Sequence, residues 1–281
     1  MPHGEEVGRT VQQADGVPAV DLSRPSAARV YDYFLGGAHN FEVDRQLAEQ
    51  IAAMTPHLPA TMRAGRDFLR RAVRVLLDAG IDQFLDIGSG IPTVGNVHEV
   101  AQATDPAARV VYVDIDPVAV AHSRELLAGN DRATVLHADL RDPERILAGA
   151  RSGGLLDLDR PVGILLAGVV HFVPDADRPA EVLATLRAAA APGSFLVISH
   201  STFEDQPQEM LDAQRLSART DTEITLRSRA EITGFFGDWT VLEPGVVHMP
   251  LWRPDSPSDV DDRPERFGAF GGVARHDHTP G

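Results

Sequence analysis

The sequence predicts an α/β fold built on a mostly parallel sheet with helices on both faces. Three observations predict it. From Gln83 onward, nearly continuous apolar runs alternate with helical segments; "QFLDIG", "ARVVYVDID", "ATVLHAD", "PVGILLAGVV" and "SFLVIS" are the strands. Strands with no polar alternation are buried on both faces, which is the condition of a parallel sheet. The first strand runs straight into a glycine turn, "FLDIGSGIPTVGN", at the corner where such sheets bind ligands beyond their carboxyl ends. A chain of 281 residues, 43% of them hydrophobic, suffices for one large domain of this kind.

Taken in order, residues 1–20 are polar and glycine-rich and read as a disordered tail. Residues 21–80 read as a helical cover. Its first helix lies in "DLSRPSAARVYDYFLGG", started by Ser23 and Pro25 and stopped by Gly36 and Gly37. A second fits "VDRQLAEQIAAM", ended by Pro56, and a third fits "LPATMRAGRDFLRRAVRVLLDAG", ended by Gly80. Residues 81–274 form the ligand-binding domain. Helices are expected over Val94–Ala103, Pro117–Ala128 and Pro179–Ala191, after the first, second and fourth strands. "QEMLDAQRLSART" and "RSRAEITGFF" are helices in an insertion over 204–236. The segments "WTVLEPGVV" and "FGAFGGVAR" are two last strands, with an acidic, proline-rich loop over 253–266 between them. Residues 275–281 read as a frayed end.

Composition narrows the function. There is no cysteine, which excludes disulfides and thiolate metal sites and fits a reducing, cytoplasmic setting. The net charge of −15 excludes the basic footprint that nucleic acid or an anionic membrane requires. The N-terminus has no apolar signal-peptide core, and "VGILLAGVV" is too short to span a bilayer. Arg63, Arg66, Arg70 and Arg74 recur at helical spacing and read first as a solvated face. The terminal "RHDH" has no partner cluster, so no metal site is expected.

The chemistry centres on the glycine turn. Gly88 and Gly90 follow the first strand and allow a tight turn and close ligand approach. Asp114 ends the second strand, where a carboxylate can accept hydrogen bonds from both hydroxyls of a ribose. That much suits NAD and S-adenosylmethionine equally. The dinucleotide spelling G-x-G-x-x-G fails at its third glycine, which is Thr93, and Pro92 removes a backbone N–H from the expected helix start. A diphosphate needs those N–H groups, whereas an adenosyl sulfonium does not. Asp139, in "HADLRDP", is placed to reach an adenine amino group, or else caps a helix or turn. Asp86 can meet a methionyl ammonium.

The segments "FLDIGSGIPTVGNVHEVAQ", "VVYVDIDPVAVAHSRELL" and "ADLRDP", with the opening "PSAARVYDYFLGGAHNFEVDR", resemble an actinobacterial S-adenosyl methyltransferase family once catalogued as a domain of unknown function. The resemblance runs from about Asp21 to Ala274. It implies a class I methyltransferase (Rossmann-like) fold, with a seven-stranded, mostly parallel sheet whose last strand is reversed. It also implies S-adenosyl-L-methionine as cofactor, held at Gly88, Gly90, Asp114 and Asp139. Family members often carry Asn-Arg in the helix before the first strand; here the pair is Gly65-Arg66, and Arg66 can face the methionyl carboxylate. The candidate cofactor set is therefore Arg66, Asp86, Gly88, Gly90, Asp114, Ile115, Asp139, Leu140 and Tyr33.

Methyl transfer asks the protein mainly to align donor and acceptor and to exclude water. The aromatic segment "RVYDYFLGGAHNF" reads as a lid over the cofactor, or as an ordinary helix capping the sheet. A general base serves a hydroxyl or ammonium acceptor. His171, beyond the fourth strand, and His200, at the end of the fifth, are the candidates; the competing reading of each is a strand-end histidine bonded to backbone. Tyr31, Tyr33 and Asn40 are possible acceptor contacts. The leading expectation is O- or N-methylation of a small molecule. A non-catalytic adenosyl-ligand sensor and an NAD-dependent oxidoreductase are the alternatives. The sequence leaves the acceptor and the oligomeric state open.

Overall fold

The computed structural model describes residues 24–92, 95–206 and 224–277. Thr93, the helix expected over 208–220, about half of the 204–236 insertion, the N-terminal tail and residues 278–281 lie outside the described residues; where fraying was expected from residue 275, the last strand runs to Arg275 and the His276 N–H donates to Ser194 O at 2.8 Å. No helix among the described residues is long and apolar enough to cross a membrane.

The strands are β1 (Gln83–Ile87), β2 (Arg109–Asp114), β3 (Ala133–His137), β4 (Gly163–Ala167), β5 (Phe195–Ser201), β6 (Thr240–Val241), β7 (Val247–His248) and β8 (Ala269–Arg275). They form one sheet in the order β3-β2-β1-β4-β5-β8-β6, with β7 also on β8. β1 to β5 are parallel, and β8 runs antiparallel to β5. The reversed strand and the mostly parallel sheet are as expected. The count differs because "WTVLEPGVV" makes two strands. Pro244 has no N–H to give the ladder, and Gly245 turns back with φ +89° and donates to Leu242 O at 2.8 Å. β6 and β7 thus pair with opposite ends of β8.

Around the sheet lie α1 (Ala27–Phe34), α2 (Glu42–Met54), α3 (Leu58–Asp78), α4 (Val97–Thr104), α5 (Pro117–Leu126), α6 (Pro143–Ser152), α7 (Pro179–Ala188) and α8 (Arg229–Gly234). One face of the sheet buries Leu85, Ile87, Ile164 and Ile198 against α6, α7 and α8. The other buries Phe84, Val110, Leu165 and Val197 against α3 and α4. α3 belongs to that layer, through Phe68, Leu69, Ala72, Val73 and Leu76. Arg71 donates from the same helix to Trp252 O at 3.0 Å and Met249 O at 2.8 Å, which fastens the C-terminal loop to it.

Two sequence expectations move, and one helix is added. α1 begins after Ser26, two residues downstream of the Ser23/Pro25 start; the Ser26 N–H is held by the Asp44 carboxylate at 2.9 Å. α4 begins at Val97, and Val94 lies outside the described residues, because Asn96 caps the helix and Glu99 at the third position accepts from the Asn96 and Gly95 N–H groups. α6 was not anticipated between β3 and β4. Asp142 caps it and Pro143 opens it, the same Asp-Pro device that starts α5 at Asp116 and Pro117.

Candidate functional site

The order of the sheet reverses between β1 and β4, and the site lies at the carboxyl end of β1 beside β2. Gly88 follows β1 with φ +74°, and its N–H donates to Val113 O at 2.8 Å, which ties the turn to β2. A Cβ on Gly88 would come within 2.3 Å of the Val169 side chain, so glycine is required twice over. Val169 begins the loop that carries His171, so that loop packs directly on the glycine turn. Gly90 has φ +69° and open space where a Cβ would stand.

Asp114 ends β2 with both carboxylate oxygens engaged. Oδ2 accepts from Gly90 N–H at 2.7 Å, and Oδ1 accepts from Asp116 N–H at 2.8 Å. Burial pushes Asp114 up to about 6, although the backbone donors of Asp116 and Gly90 oppose the shift. Asp86, inside β1, is pushed up to about 7 by burial; the Arg66 guanidinium opposes this and Asp114 adds to it. Arg66 reaches in from α3. Its Nε is buried without a hydrogen-bond partner, and its guanidinium lies 5.4 Å from the Tyr31 ring centre. Arg66, Asp86, Ser89, Gly90, Pro92 and His98 line one cleft, together with Tyr112. Tyr112 accepts from the His98 backbone N–H at 2.8 Å and meets His98 Nδ1 at 2.8 Å, which fixes the start of α4 over β2.

The rest of the expected set divides. Ile115, the residue after Asp114, is 54% exposed. Leu140 turns its side chain into the core, so a ligand contact there falls to its backbone. Asp139 is held by Arg141, with Oδ2 accepting from Nη2 at 2.6 Å and Nε at 2.9 Å. Burial works to raise its pKa, but the hydrogen bonds and charge of Arg141 hold it below the usual carboxylate range. Tyr33 is placed away from the cleft; its hydroxyl meets Glu49 Oε1 on α2 at 3.2 Å. Tyr31, not Tyr33, is the tyrosine that faces Arg66. Asn40 donates to Asp32 at 2.8 Å and is spent within the α1–α2 turn.

The two histidines also part. His200 Nδ1 faces Ser201 O at 2.7 Å and its Nε2 faces Arg227 Nη1 at 2.9 Å, so the neutral ring donates to one and accepts from the other. Burial takes it down to about 4. With both nitrogens engaged, its lone pair is directed at Arg227, an arrangement like that of the competing reading, a strand-end histidine bonded to backbone. His171 lies in the loop after β4, its Nδ1 3.4 Å from Ser201 Oγ. Burial, His200 and Arg227 together hold it well below the ordinary range, so its imidazole is neutral at pH 7. Arg227 was not singled out from the sequence. It is 3% exposed and donates to Val173 O at 2.8 Å, Val170 O at 3.4 Å and Asp175 Oδ1 at 2.7 Å. Its guanidinium therefore clamps the His171 loop to the end of β5.

The N–H donors just ahead of α4 are occupied, though not through Pro92. Pro92 precedes α4 by a turn and removes no N–H from it. The N–H groups of Gly95 and Asn96, ahead of the helix, are instead taken by Glu99, each at 2.9 Å. These two donors, of the kind a diphosphate would use, are thus satisfied by a carboxylate.

Comparison with known proteins agrees with this geometry. A family model described as S-adenosyl methyltransferase matches residues 13–277. A protein from Thermobifida fusca YX, assigned provisionally as a methyltransferase, is similar at 42% identity and TM-score 0.86; the match covers 92% of this chain and 97% of that one. A DUF574 family protein from Streptomyces avermitilis MA-4680 is similar at 40% identity and TM-score 0.86, covering 91% and 98% of the two chains. An O-methyltransferase family protein from Burkholderia thailandensis shares the fold alone, at 15% identity and TM-score 0.51 over 90% of this chain and 64% of that one. No curated protein matches. The chain belongs to the S-adenosyl methyltransferase family, as a class I α/β enzyme whose methyl donor is S-adenosyl-L-methionine.

Proposed function

We propose that the enzyme methylates an oxygen or nitrogen of a small molecule, with the donor lying across the carboxyl ends of β1 and β2. In this reading Asp114 takes the ribose diol, Asp86 the methionyl ammonium and Arg66 the methionyl carboxylate. Ile115 packs on the adenine, while Asp139 and the Leu140 backbone meet its polar edge. The residues suit the group: Arg66 has a buried Nε without a partner, and Gly90 leaves open space beside it. When bound, the sulfonium supplies an already activated methyl group. The chain's own work is to orient the two molecules and exclude water. His171, neutral and on the loop packed against the glycine turn, is the candidate acceptor of the substrate's proton.

The observation that carries this reading is the Asp114 carboxylate, fixed by the N–H groups of Gly90 and Asp116 at the switch point of the sheet. Asp114→Ala removes a charged acceptor of two hydrogen bonds, each worth about 1.5–3 kcal/mol. Calorimetric titration with S-adenosylhomocysteine is expected to show at least about a hundredfold weaker binding, with the far-ultraviolet spectrum unchanged. Near-native affinity would contradict the placement. Transfer of a labelled methyl group to small molecules of a cell extract tests the acceptor class; label appearing only in protein or nucleic acid would replace it.

A further inference from the structure

The N-terminal helix α1 and its cap Ser26 reach the proposed cofactor site at three places: Asp116 beyond β2, Ile91 of the glycine turn, and Arg66 on α3. At its start, Ser26 Oγ donates to Asp116 Oδ2, and Arg29 Nη1 lies 3.7 Å from the same oxygen. Arg29 is 3% exposed; its Nε donates to Asp44 Oδ2 on α2 at 2.8 Å. Asp44 is fully buried and accepts from the Phe41 N–H at 2.9 Å as well. Asp116 is the residue whose N–H holds the Asp114 carboxylate, and its own Oδ1 caps α5 through Val118 N–H at 2.7 Å. In the first turn, Ala28 packs against the cluster of Ile91, from the glycine turn, and Val118 and Ala119 of α5. On the next face, the Tyr31 hydroxyl donates to Met62 O on α3 at 3.1 Å, and its ring stands against the Arg66 guanidinium.

A surface helix packing only to cover the sheet has no reason to bury an arginine between two aspartates. Removing a buried ion from water is costly and is offset only where its partners are held in place. Here the guanidinium bridges α2 to the loop that presents the ribose-binding carboxylate. At the other side, an aromatic face restrains an arginine whose Nε has no protein partner.

We propose that α1 is a wall of the cofactor site that sets its two ends separately. Arg29 is a positioning residue for the ribose end, acting through Asp116 on Asp114. Tyr31 is a positioning residue for the amino-acid end, acting through Arg66. This rests on the assignment of Asp114 and Arg66 made above.

Two ligands separate the ends. S-adenosylhomocysteine carries both, whereas 5′-methylthioadenosine keeps the adenine, ribose and thioether and lacks the amino acid. Affinities are read by titration and by competition. Arg29→Met is expected to weaken both ligands by the same factor, about tenfold, and Arg29→Lys to recover little, since a point charge cannot bridge two carboxylates as the fork does. Tyr31→Leu is expected to weaken S-adenosylhomocysteine about fivefold and to leave 5′-methylthioadenosine within twofold. If Arg29→Met does not fold, Ser26→Ala removes only the Asp116 contact and is expected to weaken both ligands a few-fold. The proposal is overturned if Arg29→Met or Ser26→Ala binds both ligands as wild type does. It is equally overturned if Tyr31→Leu lowers the two affinities alike or neither. Asp114→Ala is titrated in parallel: native affinity there ends the underlying assignment, whereas loss there with unaffected α1 variants ends only this proposal.

Discussion

At the scale of single residues, His171 and His200 carry different expectations because their nitrogens are differently spent. His200 is held by Ser201 O and Arg227 at its two ring nitrogens. His200→Ala therefore leaves a buried guanidinium N–H without its acceptor. The expected cost is about 1–3 kcal/mol in urea unfolding, with S-adenosylhomocysteine affinity retained. His171→Ala is expected to lower turnover by about a hundredfold or more while leaving cofactor affinity unchanged, the range for loss of a general base. Unaltered turnover would remove His171 from the chemistry. From the sequence His171 is favoured only by its place in the loop after the fourth strand; the contact that separates the two chemically is made by Arg227, 27 positions from His200 and brought back only by the fold. The tyrosines were more legible than they looked. Residues two apart on a helix point about 200° apart, so Tyr31 and Tyr33 could not both face the cofactor. The pattern allowed either; burial against α3 selected Tyr31.

At the scale of elements, the parallel strands and the glycine turn followed from local signals, because buried strands and tight turns constrain the residues within them. α6 escaped because glycine interrupts "PERILAGARS" and its apolar residues are few, although Asp142-Pro143 marked its start. The clamp on the His171 loop escaped for another reason: it is made by backbone carbonyls, which leave no trace in the sequence. Arg227 satisfies Val170 O and Val173 O and pairs with Asp175. The loop also holds Thr225 N–H on His171 O at 2.8 Å. Arg227→Met keeps the stem and strips the donors. It is expected to destabilise the protein by about 3 kcal/mol and to raise hydrogen exchange selectively over residues 170–175. Uniform exchange across the sheet would show that the arginine supports the domain at large and not this loop.

At the scale of the whole molecule, the apo protein carries opposed proton linkages, and the cofactor should resolve one of them. Burial lowers the pKa of His98, His122, His171, His200 and His248. Below about 6.5 the unfolded chain binds more protons at these sites, so their contribution to stability is lost as pH falls. Asp86 and Asp114 behave oppositely. Their folded values, about 7 and about 6, lie above the unfolded value, so the native state holds extra protons and their contribution fades as pH rises from about 4 to 7. In the proposed placement an ammonium on Asp86 favours its ionised carboxylate, and a ribose diol on Asp114 does so more weakly, so binding releases those protons. Affinity for S-adenosylhomocysteine is therefore expected to rise by about an order of magnitude between pH 6 and pH 8, with Asp86 supplying most of it. Calorimetry in buffers of different ionisation enthalpy should count close to one proton released per ligand near pH 6.5, and close to none at pH 8.5. The thermal shift produced by the ligand should grow over the same interval. Asp86→Asn should flatten most of the dependence while weakening binding at pH 8, and a wild-type affinity independent of pH would separate the cofactor's ammonium from Asp86.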